Sequence, residues 1–469
     1  MSLSGAKRNR STTWICLLIV LVGSLLVFTH VKMKIPYTNV DTYVLEKLAK
    51  GERVVVYAVV EPECAVHLPP PLRGWRFGDY LVLKYIATHE NIQLLSRYSI
   101  YISSPRPLIP TLILLKNVGV KGIEEAKKYP GDVKLDYHKD GERWKGRGVT
   151  VCIIDSGIDY LHPDLTDRIV AMVSTIVRVE NTGAPVVWIV GVNGTLEDAW
   201  AFDKDVYNQT GTYAWMDLLG HGTHVAGCIA GTGNASSGRV RGFIPEAKLV
   251  VIKAFFDTGL SETDIILDSL DWVEEHYDEY NITVVNLSFG LQVHSNGLDP
   301  VSVACDALAD KGLVLVAAAG NNYVIPFSVV APGCARKVLC IGAINPYTDK
   351  VPTWSSIGPT ADGRIKPDYV CAGEWILSTK PVTVVSSIEK SYPELVYSKY
   401  YMYLSGTSMA TAVASGVVGE WVEWYLYSFR RGLSWRSIYA YLKKEARRIN
   451  PLTKDFITGE GVPYCPGKF

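Results

Sequence analysis

The chain has 469 residues, of which 48% are hydrophobic and 20% are charged, a length that suggests two or three folding units. Its 47 Lys and Arg residues balance its 47 Asp and Glu residues, so no excess of charge indicates nucleic acid or a strongly charged partner. None of the nine cysteines forms a Cys-x-x-Cys pair, which argues against a zinc ribbon.

Residues 1–35 have the composition of a targeting segment. Lys7, Arg8 and Arg10 precede an uncharged stretch from Ser11 to Val31, and a positive flank of this kind stays in the cytoplasm. The length lies between a signal-peptide core and a membrane-spanning helix. A signal anchor is favoured and a cleaved signal peptide stays open. Either one places the rest of the chain outside the cytoplasm, membrane-anchored at the cell surface or secreted.

Residues 36–110 are predicted to form a small α+β unit. Helices are expected at 41–50 and 90–98, and strands at 53–60, 80–86 and 99–103. Prolines 69–71 break the pattern inside the unit. Prolines 105, 107 and 110 are typical of a linker at its end.

From residue 111 to residue 469 strands and helices alternate. Continuous apolar runs, typical of central parallel strands, lie at 149–154, 248–254, 283–288, 313–318 and 338–343. Helices are predicted at 221–230, 262–277 and 301–311, the second with Ser261 and Asp264 as its cap. This alternation indicates an α/β fold of three layers, with a mostly parallel central sheet between helices.

Three short stretches carry the residue types of nucleophilic catalysis. Ser408, in Ser-Gly-Thr-Ser-Met-Ala, begins a small-residue helix, whose dipole stabilises developing negative charge. His221, in Gly-His-Gly-Thr-His-Val-Ala-Gly, is a candidate base, which a serine hydroxyl needs at neutral pH. Asp155 ends an apolar strand in Ile-Ile-Asp-Ser-Gly and is placed to orient the histidine. Taken alone, Asp155 fits a turn aspartate better.

Two more polar residues are candidates for a role at the same edge of the sheet. Asn321 follows the run Val-Leu-Val-Ala-Ala-Ala-Gly, and its amide is a candidate donor to an oxyanion; a turn asparagine is the alternative. His224 is spaced from His221 as in some metal sites, but no third ligand accompanies the pair. We therefore expect His224 to be a packed structural histidine and predict no metal site.

The stretches around Asp155, His221, Asn321 and Ser408 occur in the chain order that distinguishes one serine-protease family from others. They resemble the subtilisin-like serine proteases (subtilase family, peptidase S8) over most of residues 111–469. The resemblance implies a serine endopeptidase with Asp155, His221 and Ser408 as its triad. Asn321 would contribute to the oxyanion hole, and the chemistry would require no cofactor. An exopeptidase of the same fold and an inactive surface binding module are the alternatives.

The resemblance also implies the surroundings of the site. A substrate cleft that binds extended protein or peptide chains by strand addition would be lined by Gly259, Leu260, Ser288, Phe289 and Gly290. Residues 36–110 would be a propeptide that inhibits its own enzyme and is removed by a cut between about 103 and 122. Structural calcium is a family expectation for which the sequence names no ligands.

Departures from the family pattern concern packing. Ala412 and Val413 stand where proline and histidine are usual in the family, and Cys371 stands where Ala-Pro-Gly usually begins. The segment between Asp155 and His221 is longer than in a minimal member, and residues 175–214 are expected to form a hairpin near the mouth of the site. A disulfide between Cys334 and Cys340 stays open, because sequence does not give the distance between them.

Overall fold

A computed structural model describes residues 39–105, 107–110, 144–180, 182–291, 295–323, 325–429, 434–451 and 454–466. The predicted targeting segment, 1–35, lies outside these ranges, as do residues 111–143. Within them, none of the helices combines the length and the apolar composition that crossing a membrane requires.

An antiparallel sheet of four strands, in the order β2-β3-β1-β4, forms the first part of the described chain. Its strands are β1 (Val54–Val60), β2 (Arg73–Phe77), β3 (Tyr80–Ala87) and β4 (Tyr101–Ser103), and its helices are α1 (Thr42–Ala49), α2 (Pro62–Ala65) and α3 (Ile92–Tyr98). Helices α1 and α3 cover one face, where Val44, Leu48 and Leu95 are buried against β1 and β3. The α+β character of this unit agrees with the prediction.

Strand β2 was not predicted, because the prolines at 69–71 suggested a break. The strand begins just after them and pairs with β3 from Arg73↔Lys84 to Phe77↔Tyr80. Trp75 and Phe77 point to the buried side while the residue between them is exposed, which is the alternation of a half-buried strand. Two inward-facing residues are too few for that alternation to be recognised in sequence.

The second part of the chain is built on an eight-stranded sheet in the order β14-β13-β12-β10-β6-β9-β7-β8. Its strands are β6 (Thr150–Asp155), β7 (Ile169–Arg178), β8 (Pro185–Ile189), β9 (Lys248–Lys253), β10 (Ile282–Leu287), β12 (Val314–Ala318), β13 (Leu339–Ile344) and β14 (Tyr369–Ala372). All neighbours pair in parallel except β8, which is antiparallel to β7. The mostly parallel sheet predicted from the apolar runs is confirmed.

Helices cover both faces of this sheet. They are α4 (Leu196–Thr210), α5 (His221–Ala230), α6 (Thr263–His276), α7 (Pro300–Asp310), α8 (Ser387–Ser391), α9 (Thr407–Phe429) and α10 (Trp435–Glu445). Alternate residues of β6 point to opposite sides: Val151 and Ile153 join the apolar cluster under α5 and α9, whereas Cys152 and Ile154 join the cluster under α6 and α7. This alternation is what a strand buried on both faces requires.

Four short strands stand outside these sheets. Strands β15 (Ile376–Thr379) and β16 (Tyr401–Leu404) form an antiparallel pair. Strand β5 (Leu108–Pro110) pairs antiparallel with β11 (Phe289–Leu291). Residues 108–110 were predicted to belong to a linker, but they form a strand. The sequence does not reveal this strand because its partner lies far away in the chain.

The four-stranded sheet packs its other face on α6 and α7. Tyr57, Trp75 and Phe77 are buried in the same apolar cluster as the residues of those helices. Around its edge, Lys84 Nζ lies 2.5 Å from Asp264, and Arg73 lies 2.5 Å from Asp268. Apolar burial and opposite charges thus join the two parts of the chain.

Two local predictions need correction. Helix α6 begins at Thr263 with Glu262 as its N-cap residue and no capping side chain, because the Ser261 hydroxyl donates instead to the carbonyl of Ala254, 2.6 Å away. The segment 175–214 contains more than a hairpin: after β7 and β8 it forms α4, whose start is fixed by a capping box between Thr195 and Asp198.

No disulfide joins any of the cysteines in the described residues. Cys152 and Cys228 are buried, and burial raises the pKa of Cys228 to about 12. Cys334 and Cys340 are both buried and unbridged.

Helix α9 runs without interruption from Thr407 to Phe429, and Ala412 and Val413 are buried within it. Its close approach to the chain at Phe243 and Ile244 depends on two glycines. A Cβ atom at Gly416 would lie 2.3 Å from Phe243 Cβ, and one at Gly419 would lie 2.5 Å from Ile244 Cδ1.

We expect Gly416→Ala to lower the melting temperature, although alanine is the better helix former by up to about 1 kcal/mol. The new methyl group would press on Phe243 Cβ, an atom attached directly to the backbone, and overpacking costs roughly 1–3 kcal/mol. Gly419→Ala is the matched control, because Ile244 Cδ1 is the flexible end of a side chain. Thermal unfolding followed by circular dichroism measures both variants, and a Gly416→Ala protein at least as stable as Gly419→Ala would contradict the packing argument.

Candidate active site

The residues predicted to carry chemistry lie on four different elements that meet at the carboxyl edge of the parallel sheet. Asp155 is the last residue of β6, and Asn321 follows β12. His221 is the first residue of α5, and Ser408 is the second residue of α9. The carboxyl edge is where open α/β sheets place their binding sites.

Asp155 and His221 form a direct hydrogen bond. His221 Nδ1 lies 2.7 Å from Asp155 Oδ1, and neither side chain is exposed to solvent. Because a carboxylate accepts, Nδ1 carries the proton and donates it. The other ring nitrogen, Nε2, then presents a lone pair, and it is buried without a hydrogen-bond partner. This tautomer is the one that a general base needs.

Ser408 is held to Ser288, the residue between β10 and β11. Its hydroxyl donates to the carbonyl of Ser288 over 2.7 Å, and the Ser288 hydroxyl donates back to the carbonyl of Ser408 over 3.1 Å. A bond from the Ser408 hydroxyl to His221 Nε2, expected from the resemblance, is therefore not made in this structure. Catalytic hydrogen bonds are often made only when substrate is bound.

Asn321 has one half of its amide fixed and the other half unused. Its Oδ1 accepts from both the backbone N–H and the hydroxyl of Thr407, each at 3.0 Å. This pairing assigns Nδ2 as the other end of the amide, and Nδ2 is buried with no partner. Buried polar atoms are nearly always paired, so an unpaired donor beside the first turn of α9 indicates a place for an acceptor that arrives later.

Asp217 is a residue that the sequence reading missed. Its Oδ1 accepts from the Ser156 hydroxyl at 2.9 Å and the Gly220 N–H at 2.8 Å. Its Oδ2 accepts from the N–H and the hydroxyl of Thr223, both at 2.8 Å. Ser156 follows Asp155, and the other donors lie on either side of His221. The Asp217 carboxylate therefore links the end of β6 to the start of α5.

A buried lysine completes this connection. Lys253, at the end of β9, has a fully buried side chain whose Nζ donates to the carbonyls of Ser156 and Met216 and to Asp257, over 2.8–3.1 Å. Burial raises the pKa of Asp217, and the positive charge of Lys253 opposes that rise. Neither residue belongs to a short motif, so only the geometry reveals their connection to the site.

His224 is a structural histidine, as the sequence indicated. Its Nε2 lies 3.0 Å from the carbonyl of Ile376 and 3.2 Å from that of Met402. Burial, with a smaller contribution from His221, lowers the pKa of His224 to about 3. In the described ranges no three His, Cys, Asp or Glu side chains are grouped so that they could hold a metal ion, so the calcium expectation finds no ligands there.

The residues predicted to line the cleft lie on two segments. Phe289 and Gly290 belong to β11, and Ser288 precedes it. Gly259 and Leu260 form a turn closed by bonds to Phe256, and half of Leu260 is exposed. Next to this turn, the backbone of Ser261 pairs with that of Leu108 in an isolated antiparallel bridge. Ser261 and Leu291, another paired residue of β11, were missed because no motif contains them.

The sheet edge thus holds a buried carboxylate–imidazole pair and, at a helix N-terminus, a serine. These are the groups that serine hydrolases use. The chain belongs to the subtilase family, because the model of that family (Peptidase_S8) matches residues 146–461. The subtilisin-like fold and family expected from the motifs are therefore confirmed.

Among curated relatives, serine protease AprX of Bacillus subtilis (strain 168) is 32% identical over 294 residues, covering 60% of this chain and 58% of that protein. The major intracellular serine protease of the same organism is 26% identical over 360 residues, covering 75% of this chain and 92% of that protein. The thermophilic serine proteinase of Bacillus sp. (strain AK1) is 27% identical, and the match spans 55% of its length. The chain thus spans little more than half of the length of AprX and of the thermophilic enzyme.

Solved structures show the same fold. Sphericase is 21% identical, with a TM-score of 0.53, covering 74% of this chain and 97% of that one. The S41 psychrophilic protease is 24% identical, with a TM-score of 0.52, covering 69% and 93%.

We expect Asp217→Asn to lower kcat by up to roughly 10²-fold with little change in KM, because small misplacements of reacting groups are costly. An amide has one acceptor oxygen in place of two, so at least one of the four donors that Asp217 satisfies loses its partner. Asp205→Asn, at an exposed position of α4, is the control. Steady-state kinetics on a peptide substrate measures the effect, and an unchanged kcat in the folded variant would show that Asp217 does not position the pair.

Proposed function

We propose that the protein is a serine endopeptidase that is made as a zymogen and acts outside the cytoplasm. One observation carries the proposal most strongly: the buried atoms His221 Nε2 and Asn321 Nδ2 have no hydrogen-bond partner among the described residues. The first is an acceptor and the second is a donor, which are the two groups that peptide hydrolysis at Ser408 requires.

The reaction follows from these groups. Substrate binding turns the Ser408 hydroxyl from the Ser288 carbonyl to His221 Nε2, which takes its proton while Oγ attacks the peptide carbonyl carbon. Asp155 stabilises the imidazolium through the bond to Nδ1, 2.7 Å long. The oxyanion accepts hydrogen bonds from Asn321 Nδ2 and from the Ser408 N–H. The C–N bond then breaks, the imidazolium protonates the leaving amine, and water hydrolyses the acyl-enzyme by the same route.

Cleavage inside a chain, rather than at its end, is supported by what β5 does. This strand pairs with β11, and it is an internal part of the polypeptide, preceded by residues 39–105. An exopeptidase of the same fold must block the cleft where the substrate's amino terminus ends. Among the described residues, the chain before β5 leads back to the four-stranded sheet and meets no such stop, which favours an endopeptidase over a tripeptidyl peptidase.

A zymogen is supported by the position of the four-stranded sheet. The sheet packs on α6 and α7, and β5, which follows it in the chain, lies against β11 in the predicted cleft. His221 and Ser408 have no exposed surface in this arrangement. This arrangement supports the proposal that residues 36–110 act as an inhibitor that prevents access to the triad.

Action outside the cytoplasm is proposed from residues 1–35, whose basic flank and apolar core favour an anchor or a signal peptide. In that case the N-terminal segment also provides any contact with the membrane. Two curated relatives are named as intracellular proteases, so the location has to be tested on this chain itself.

Ser408→Ala is expected to abolish labelling by a fluorophosphonate and hydrolysis of casein, because it removes the nucleophile. The wild-type protein should react only after residues 36–110 are removed, since β5 pairs with β11 next to Ser288, to which Ser408 is bonded. Ser391→Ala, at an exposed position in α8, should label like the wild type. Gel fluorescence gives the result, and a processed, folded wild-type protein that neither labels nor cleaves casein would favour the inactive binding module.

Asn321→Ala is expected to lower kcat by about 10²–10³-fold with little change in KM, the usual cost of removing one oxyanion donor in such enzymes. Asn322→Ala is the matched control, because that neighbour is bonded through its backbone N–H to Ser356. Steady-state kinetics on a chromogenic peptide separates the two variants, and equal effects from both would assign the loss to the loop rather than to the amide.

A further inference from the structure

The ammonium group of Lys253 lies under the backbone that carries the Asp–His pair. Lys253 faces Asp155 in the parallel register of β9 with β6, and its side chain is completely buried. Its Nζ donates to the Ser156 carbonyl over 2.8 Å and to the Met216 carbonyl over 3.1 Å. The positive charge is thus held between the residue that follows Asp155 and the residue that precedes Asp217.

Carboxylates outnumber this ammonium group in the surrounding interior. Asp203 and Asp217 have no exposed surface, and Asp257 keeps 16% of its side chain exposed. Burial raises the pKa of Asp203 and of Asp217, and the positive charge of Lys253 opposes the rise in both. The titratable groups around Lys253 and Asp217 are Asp155 of β6, Tyr160 in the loop after it, Asp203 of α4, Tyr213, His221 of α5 and Asp257.

We propose that Lys253 is a positioning residue whose positive charge keeps the Asp217 carboxylate ionised and thereby keeps the catalytic pair in place. The inference deepens the proposed function and rests on it. The two oxygens of Asp217 accept from four donors around that pair. A protonated carboxyl carries a donor of its own and has less acceptor capacity. Protonation would therefore leave part of this set unsatisfied and would loosen the start of α5.

Lys253 also binds a carboxylate outside this set, so a second role has to be separated from the first. Its Nζ donates to Asp257 Oδ1 over 2.8 Å, and Asp257 lies in the turn that the Phe256 N–H closes by donating to the Leu260 carbonyl. Because Asp257 is partly exposed, water stabilises its charge without the lysine. The fully buried Asp217 lacks that support, so the charge of Lys253 matters more to Asp217 than to the turn.

The pH dependence of kcat tests the proposal. We expect the matured Lys253→Met enzyme to lose kcat on acidification at a pH about one unit higher than the wild type, the effect of removing a nearby opposite charge from a buried carboxylate. The direction follows because the pKa of Asp217 rises further when the cation is absent. Loss of the lysine's hydrogen bonds alone would lower kcat by the same factor at every pH. Steady-state kinetics on a chromogenic peptide measures the profile, and KM should change little.

Three variants serve as controls for the charge. Lys366→Met is the matched one, because Lys366 is also buried and its Nζ lies 2.5 Å from Asp368, at the amino edge of the sheet. It should keep the wild-type pH profile. Lys253→Arg retains the charge and should also keep it. Asp257→Asn should keep it too, and a shift equal to that of Lys253→Met would assign the effect to the turn and overturn the proposal.

A double variant decides the matter even if Lys253→Met does not fold. Combining Lys253→Met with Asp217→Asn removes both charges, whereas the single change leaves a buried carboxylate without its cation, which is the more costly state. Thermal unfolding should therefore show a higher melting temperature for the double variant than for Lys253→Met. The acid side of its kcat profile should coincide with that of Asp217→Asn, since an amide does not titrate. A double variant no more stable than the single one would contradict the proposal.

The outcomes separate this inference from the proposed function. If the wild type hydrolyses casein and the Lys253→Met profile coincides with the wild-type profile, Lys253 has no positioning role and the endopeptidase stands. If the processed wild-type protein neither hydrolyses casein nor reacts with a fluorophosphonate, there is no reaction for Lys253 to support and both proposals fall.

Discussion

A hydrogen bond between a buried carboxylate and a buried imidazole imposes the strictest demand on this fold. His221 Nδ1 and Asp155 Oδ1 are 2.7 Å apart, at the start of α5 and the end of β6, and burying a carboxylate is costly unless it is hydrogen-bonded. Asp217 satisfies four donors next to those two positions, and Lys253 binds the backbone on either side of them. The polar network under the site thus supports the distance between the Asp155 carboxylate and the His221 imidazole.

The sequence allowed the catalytic part to be predicted well, because its signals are local. The runs at 149–154 and 248–254 became β6 and β9, and the helix predicted at 221–230 is α5. The same motifs that placed Asp155, His221 and Ser408 on their elements also identified the family.

What escaped prediction depends on partners that are distant in sequence. Strand β5 has three residues and two of them flank prolines, so nothing local distinguishes it from a linker; its partners are Ser261 and β11. Asp217 looks like an ordinary loop aspartate until its donors are seen. The rotamer of Ser408 depends on the carbonyl of Ser288, a choice between two acceptors that no motif specifies.

The contact between the four-stranded sheet and the catalytic part has two components of different strength. Tyr57 and Trp75 are almost fully buried at the contact, whereas Arg73, the partner of Asp268, keeps 45% of its side chain exposed. Salt screens exposed charges and leaves apolar burial in place. Attachment through a covalent chain also gives β5 a high effective concentration beside β11, so cutting the chain would weaken the pairing of β5 with β11 even before any contact changes.

Eight cysteines, none of them in a disulfide, lie in the described residues, and all but Cys64 are buried. Burial raises the pKa of Cys152, Cys305 and Cys340 as well as that of Cys228. Only a thiolate reacts with alkylating reagents, so these buried thiols are not alkylated as long as the protein stays folded. Each modified cysteine would therefore mark a molecule that had opened, so the rate of alkylation would report how often the fold opens.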